Sequence, residues 1–177
     1  MAASYNIITF ILKWEGDYGN DPDDAGGETR KGITWKTWQS VFGDTHDRFM
    51  AMSDDDWGQV FKKLFWDPLH GDEIASRKVA EMMVDWMWCS GKKIPGRLLQ
   101  TILVQNFGCQ IDIDSVIGKQ TIMAINSVDA EKLFNLLTEE RMDYLEDIVV
   151  ARPQNKKFLS GWKNRVNALV EISSAHA

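Results

Sequence analysis

Glu15 ends an apolar stretch, Ile7 to Trp14, and opens a run of acids and glycines that reaches Thr34. A carboxyl held against apolar walls has its charged form disfavoured, so its pKa is expected to rise. A carboxylic acid that keeps its proton near neutral pH is what a general acid requires. Asp21, Asp23 and Asp24 follow, and Gly26-Gly27 allow the chain to fold back toward the helix end. Glycoside hydrolysis needs such an acid and, in most enzymes, a second carboxylate that activates water or attacks the sugar. The plainer reading of the same residues is a solvated helix-end carboxylate followed by a turn in which Asp side chains bond their own backbone.

A second chemistry competes for this stretch. Asp17 to Glu28 spans the length of a calcium loop, with Asp at its first, fifth and seventh places and Glu at its twelfth. Against it stand Gly19 at the third place, Pro22 at the sixth, where a calcium loop needs Gly, and Ala25 at the ninth. His46, His70 and His176 are scattered without ligand spacing, so no metal or other cofactor is expected. G-x-S-x-G and P-loop motifs are missing. Cys89 lies among Met and Trp and reads as core. Cys89 and Cys109 are expected as reduced thiols. Asp85 sits on the same apolar segment as Cys89 and needs a partner, either as a structural hydrogen-bonder or as part of a site.

The elements that would position these groups are almost all helical, with apolar residues recurring at helical spacing. Ile7, Ile8, Ile11 and Trp14 mark one face of a first helix, with Ser4 as its N-cap. Asp17 to Gly32 reads as a loop. Thr34 caps a second helix, with Trp38, Val41 and Phe42 inward and Gly43 as its stop. Ser53 with Asp54, Asp55 and Asp56 caps a third, which ends before Pro68. Val79, Met82, Met83, Trp86 and Met87 form another face, ended by Gly91. Pro95 fits the first turn of the helix that runs to Gly108. Cys109 to Gly118 is irregular, and further helices cover Thr121 to Ile125, a span capped by Asp129 that runs to about Val150, and Phe158 to Leu169. A break near Gly91 to Pro95 divides the chain into residues 1–92 and 93–177.

The 177 residues, 44% hydrophobic and 26% charged, exclude a disordered chain. The net charge of −6, without a Lys/Arg cluster longer than a pair, argues against nucleic-acid binding. Ile7 to Leu12 is too short to span a bilayer, and the N-terminus lacks the features of a Sec signal peptide. The protein is therefore expected to be made in the cytoplasm, without membrane insertion, and exported by other means if its target lies outside. Eight Trp and eight Phe serve either as core anchors or as a sugar-stacking groove, with Trp35 and Trp38 the candidates for stacking.

The run Glu15-Gly-Asp-Tyr-Gly-Asn-Asp-Pro-x-Asp-x-Gly-Gly-Glu-Thr-x-x-Gly-Ile-Thr34 resembles the signature of glycoside hydrolase family 108. These are bacterial and phage N-acetylmuramidases, some of them labelled secretion activator proteins. Phe65-Trp-Asp-Pro68 and Gly71-Asp72 resemble the family's Y-W-D-P and G-D. Val84-Asp85-x-x-x-Cys89-Ser90-Gly91 resembles its F-D-x-x-x-N-S-G. Asp114-Ser-Val-Ile-Gly-Lys-Gln-Thr121 and Gly161-Trp-x-x-Arg165 resemble the peptidoglycan-binding region that accompanies it. Asp17, Ala25, Cys89, Ser115 and Gln120 depart from the pattern, at places where the family has Gly, Pro, Asn, Gly and Pro.

The resemblance implies a mainly α, lysozyme-like fold with a long acidic, Gly-rich active-site loop. It implies a peptidoglycan hydrolase that cleaves the β-1,4 bond after N-acetylmuramic acid, with Glu15 as the catalytic acid. Asp24 is the first candidate for its partner and Asp21 the second. Tyr18, Asp21, Thr29, Thr34, Asp85 and Ser90 are the expected substrate-binding positions. Glycan strands are the expected partner, and a holin or secretion machinery the route to the wall. A catalytically silent wall-binding or secretion-associated module is the alternative of a different class.

Overall fold

The computed structural model of the chain describes residues 2–19 and 27–174. It resolves into two compact units, Met1–Asp67 and Pro68–Ala177.

The first unit opens with α1 (Ala2–Trp14). This helix begins before Ser4, so Ser4 lies inside it and not at its cap. Three two-residue strands follow: β1 (Tyr18–Gly19), β2 (Thr29–Arg30) and β3 (Ile33–Thr34). They form one antiparallel sheet in the order β1-β2-β3, with Tyr18 opposite Arg30 and Thr29 opposite Thr34. The expected loop thus carries a small sheet. The periodicity rules miss it because two residues are too few to show alternation.

Lys31 and Gly32 join β2 to β3, with φ of 46° and 77°. Positive φ at both central residues is the signature of a type I′ turn, whose twist matches that of the flanking strands. The tip is tied to α4 (Asp54–Phe61), where the Trp57 indole N–H donates to the Lys31 carbonyl at 2.9 Å.

Thr34 ends the sheet and starts α2 (Trp35–Phe42). Its hydroxyl accepts the Thr37 N–H at 3.1 Å, as a cap does. Gly43 stops α2 at positive φ, as expected. A short helix, α3 (His46–Met50), was not legible in the sequence. Ser53 and Asp56 form a full capping box on α4, each side chain meeting the other's backbone N–H. A π-helical turn, Lys62–Trp66, continues α4 toward Pro68. Trp38, Phe49, Trp57 and Phe61 are fully buried, and Trp38 packs edge-on to Phe49.

The second unit is built on α5 (Arg77–Ser90), against which α6 (Lys93–Phe107), α8 (Ala130–Ala151) and α9 (Lys156–Ser174) pack. Every residue of α5 from Val79 to Met87 is buried. A helix covered all round has no polar face, so the two acids on it must be neutralised internally. Glu81 bonds Arg77 at 2.8 Å and receives the Ser173 hydroxyl at 3.1 Å. Asp85 is held by two arginines.

Pro95 lies in the first turn of α6, and Asp129 caps α8 through the Lys132 N–H, both as expected. The connection from Cys109 to Gly118 is irregular and is stitched to α6 by Gln100. The Gln100 side chain accepts the Ser115 N–H at 2.8 Å and donates to Asp114 Oδ1 at 2.9 Å and to the Val116 carbonyl at 3.1 Å. α7 (Lys119–Ser127) closes the unit. The fold is mainly α, and among the described residues no helix is long and apolar enough to cross a membrane.

Candidate active site

Glu15 follows the last residue of α1 and is half-buried. Its carboxyl lies over the β2–β3 turn, in the space that a side chain at Gly32 would take. A methyl group on Gly32 would sit 2.5 Å from Glu15 Oε2 and 2.8 Å from Cδ. Gly32 suits this place twice, since its left-handed φ favours glycine and a Cβ there would push the Glu15 carboxyl aside.

This explains the spacing of Thr29-x-x-Gly-Ile-Thr34 in physical terms. Thr29 starts one strand, Gly32 turns the hairpin beneath the acid, Ile33 is buried in the core, and Thr34 caps α2. The hairpin is fixed at both ends by backbone bonds, Lys31 N–H to the Asp17 carbonyl at 2.8 Å and Trp35 N–H to the Glu28 carbonyl at 2.7 Å. The acid thus lies against backbone that is locked by a sheet, a helix cap and a buried tryptophan.

Tyr18 is exposed, and its hydroxyl donates to Glu28 Oε1 at 3.1 Å. The other oxygen of Glu28 meets His46 Nε2 at 2.9 Å. The His46 bond, and with it the Tyr18 hydroxyl, holds the Glu28 carboxyl below the usual carboxylate range, against the opposing push of partial burial. Sequence reading took the histidines as scattered and missed this trio. The Glu28–His46 bond spans eighteen residues, a separation that no local pattern reveals. α3 brings His46 back, edge-on to Trp35 at 5.1 Å.

The Thr29 hydroxyl donates to the Gly27 carbonyl at 3.1 Å, and that of Thr34 is shared between its cap and the Thr37 hydroxyl at 2.9 Å. Asp21 and Asp24 lie outside the described residues. Trp38 is in the core, where its indole N–H donates to Thr45, whereas Trp35 is half-buried. Glu28, the twelfth place of the calcium pattern, directs its oxygens to Tyr18 and His46. Among the described residues no three His, Cys, Asp or Glu side chains gather as a metal cluster.

Asp85 and Ser90 belong to the second unit. Asp85 is fully buried; Arg141 Nη2 donates to one of its oxygens at 2.7 Å and Arg165 Nη2 to the other at 2.7 Å. It is a structural hydrogen-bonder that ties α5 to α8 and α9. The sequence signal for this was present at the closing Arg165 of the Gly-Trp-x-x-Arg run, whereas Arg141 on α8 carried none. Ser90 ends α5 and is half-buried beside Cys89, which is exposed and not core; among the described residues neither Cys89 nor Cys109 is in a disulfide.

Residues 8–91 match the model of the Glycosyl hydrolase 108 family, and residues 94–167 match that of the Predicted Peptidoglycan domain. The site thus lies in a protein of the peptidoglycan-hydrolase class. Residues 8–91 are thus similar to glycosyl hydrolase family 108, and the match to the predicted peptidoglycan domain follows it in sequence. The solved structure of SagA from Brucella abortus is similar in fold, with a TM-score of 0.76 and 24% sequence identity, covering 97% of this chain and 93% of that one. No curated protein sequence matches the chain.

Proposed function

We propose that the chain is an N-acetylmuramidase that cleaves the β-1,4 bond between N-acetylmuramic acid and N-acetylglucosamine. Glu15 protonates the departing glycosidic oxygen. Charge that develops on the sugar ring is stabilised by a neighbouring carboxylate and by backbone dipoles. Asp24 is the first candidate for that carboxylate and Asp21 the second; a water held by Thr29 or Thr34 is the route without a protein base. A carboxyl separation of roughly 6.5–9.5 Å gives inversion and one of about 5 Å gives retention.

The observation that carries this reading is the lodging of the Glu15 carboxyl over Gly32, within the family-matched region. A carboxyl packed against an interlocked turn has less room to swing away, which favours proton delivery to a single oxygen. Tyr18 and Ser90 are assigned to substrate contact. Thr29 and Thr34 are assigned with them, while the fully buried Asp85 serves structure through Arg141 and Arg165. Residues 1–92 supply the chemistry and residues 93–177 the hold on the wall, reached through a holin or a secretion route.

Product analysis tests this reading. Purified peptidoglycan treated with the protein is expected to yield fragments with new N-acetylmuramic acid reducing ends. Release of N-acetylglucosamine ends would move the bond cleaved. Wall pull-down without any new ends would make the protein a binder.

A further inference from the structure

The second unit contains a cavity of about 140 Å³ that the proton transfer proposed for Glu15 does not use, although Ser90 is in its lining. Its walls include Trp86, Leu145, Ile148 and Trp162, with Arg141 and Cys89 among its polar groups. The volume corresponds to a handful of heavy atoms, at roughly 30 Å³ for each water displaced.

Two buried groups here are short of acceptors. Arg141 is 3% exposed and has five N–H donors, of which one bond at 2.7 Å reaches a carboxylate oxygen, that of Asp85. Its other partners are sulfurs, Met82 Sδ at 3.5 Å and Cys89 Sγ at 3.8 Å, and sulfur is a weak acceptor. Trp86 is 1% exposed, and its indole N–H has no acceptor among the described residues. Buried donors of this kind carry a desolvation cost until something accepts from them. A guanidinium beside aliphatic and aromatic walls selects an acceptor-only head on a small apolar body.

We propose that this cavity binds a small aliphatic carboxylate, its oxygens taking the spare donors of Arg141 and its alkyl part resting on Leu145, Ile148 and Trp162. The alanine terminus of a wall peptide is one source of that chemistry, and a free short-chain carboxylate is another. The proposal does not rest on the catalytic role of Glu15.

The test uses the full chain with Cys109→Ser, so that Cys89 is the only thiol. Alkylation of Cys89 by iodoacetamide is timed with N-acetylalanine as probe, and with its methyl ester as the uncharged control. Occupancy is expected to slow alkylation by mass action, about tenfold when the probe is at about nine times its Kd. The ester should not slow it. Ile148→Trp, which fills the cavity, should abolish the effect while circular dichroism shows the fold retained, and Glu15→Gln should leave the effect unchanged. Tighter protection by an alanine-terminated dipeptide than by propionate assigns the wall peptide as source, and the reverse assigns a free carboxylate. Equal protection by acid and ester, or none by any carboxylate, overturns the proposal.

Discussion

The carboxyl of Glu15 occupies the space above Gly32 that any other residue's Cβ would need, 2.5 Å from where that atom would lie. Gly32→Ala therefore displaces the carboxyl and strains a turn residue at φ +77°. The expected stability loss is about 1 kcal/mol. The expected rate loss on peptidoglycan is larger, about 10²-fold, the cost of misplacing a reacting group by about an ångström. Parallel urea melts and reducing-end rates check both. A rate that falls no further than stability explains would show that the contact is packing alone.

Glu28 gives a pH prediction. His46 first, and then Tyr18, hold its folded pKa below its unfolded value. The stabilisation is therefore complete above the ordinary carboxylate range of about 4 to 5 and is lost as pH falls through the lower folded value. Melting temperature of the wild type should decline on acidification in that window, and Glu28→Gln should flatten the decline. Parallel acid limbs for both proteins would refute the assignment.

Asp85→Ala leaves the Arg141 guanidinium buried without a counter-charge. Removing one partner of a buried pair costs about 3–5 kcal/mol. Equilibrium denaturation should show a loss of that order. A loss below about 1 kcal/mol, the size of an exposed pair, would mean that Asp85 does not hold the unit together.

Ser115 stands where the resembling motif has Gly, and its φ is +69°. An L-residue in this region costs roughly 1–2 kcal/mol. Ser115→Gly is expected to recover up to about 1 kcal/mol in a thermal melt, after the greater freedom of glycine in the unfolded chain is subtracted. A destabilised variant would contradict this account.

Most helices of both units were legible because each signal was local, whereas α3 and the true start of α1 before Ser4 were not. Thr34, Ser53 and Asp129 cap as their neighbours demand, and Val79 to Met87 read as core. What escaped was long-range. The three strands are too short to carry a period. The Glu28–His46 and Asp85–Arg141 pairs join residues far apart in sequence. The surplus of tryptophan read first as core, with a stacking groove as the second reading, and Trp38, Trp57 and Trp86 are core. Gly32 was visible as a motif residue, but its reason, the acid above it, needed three dimensions.

Glu15→Gln tests the central claim most directly, since it keeps the side chain's size and removes the transferable proton. Reducing ends released from purified peptidoglycan should fall by about 10²-fold or more with an unchanged melting temperature, the scale of general-acid catalysis. A folded Glu15→Gln variant that releases ends at the wild-type rate would contradict the account.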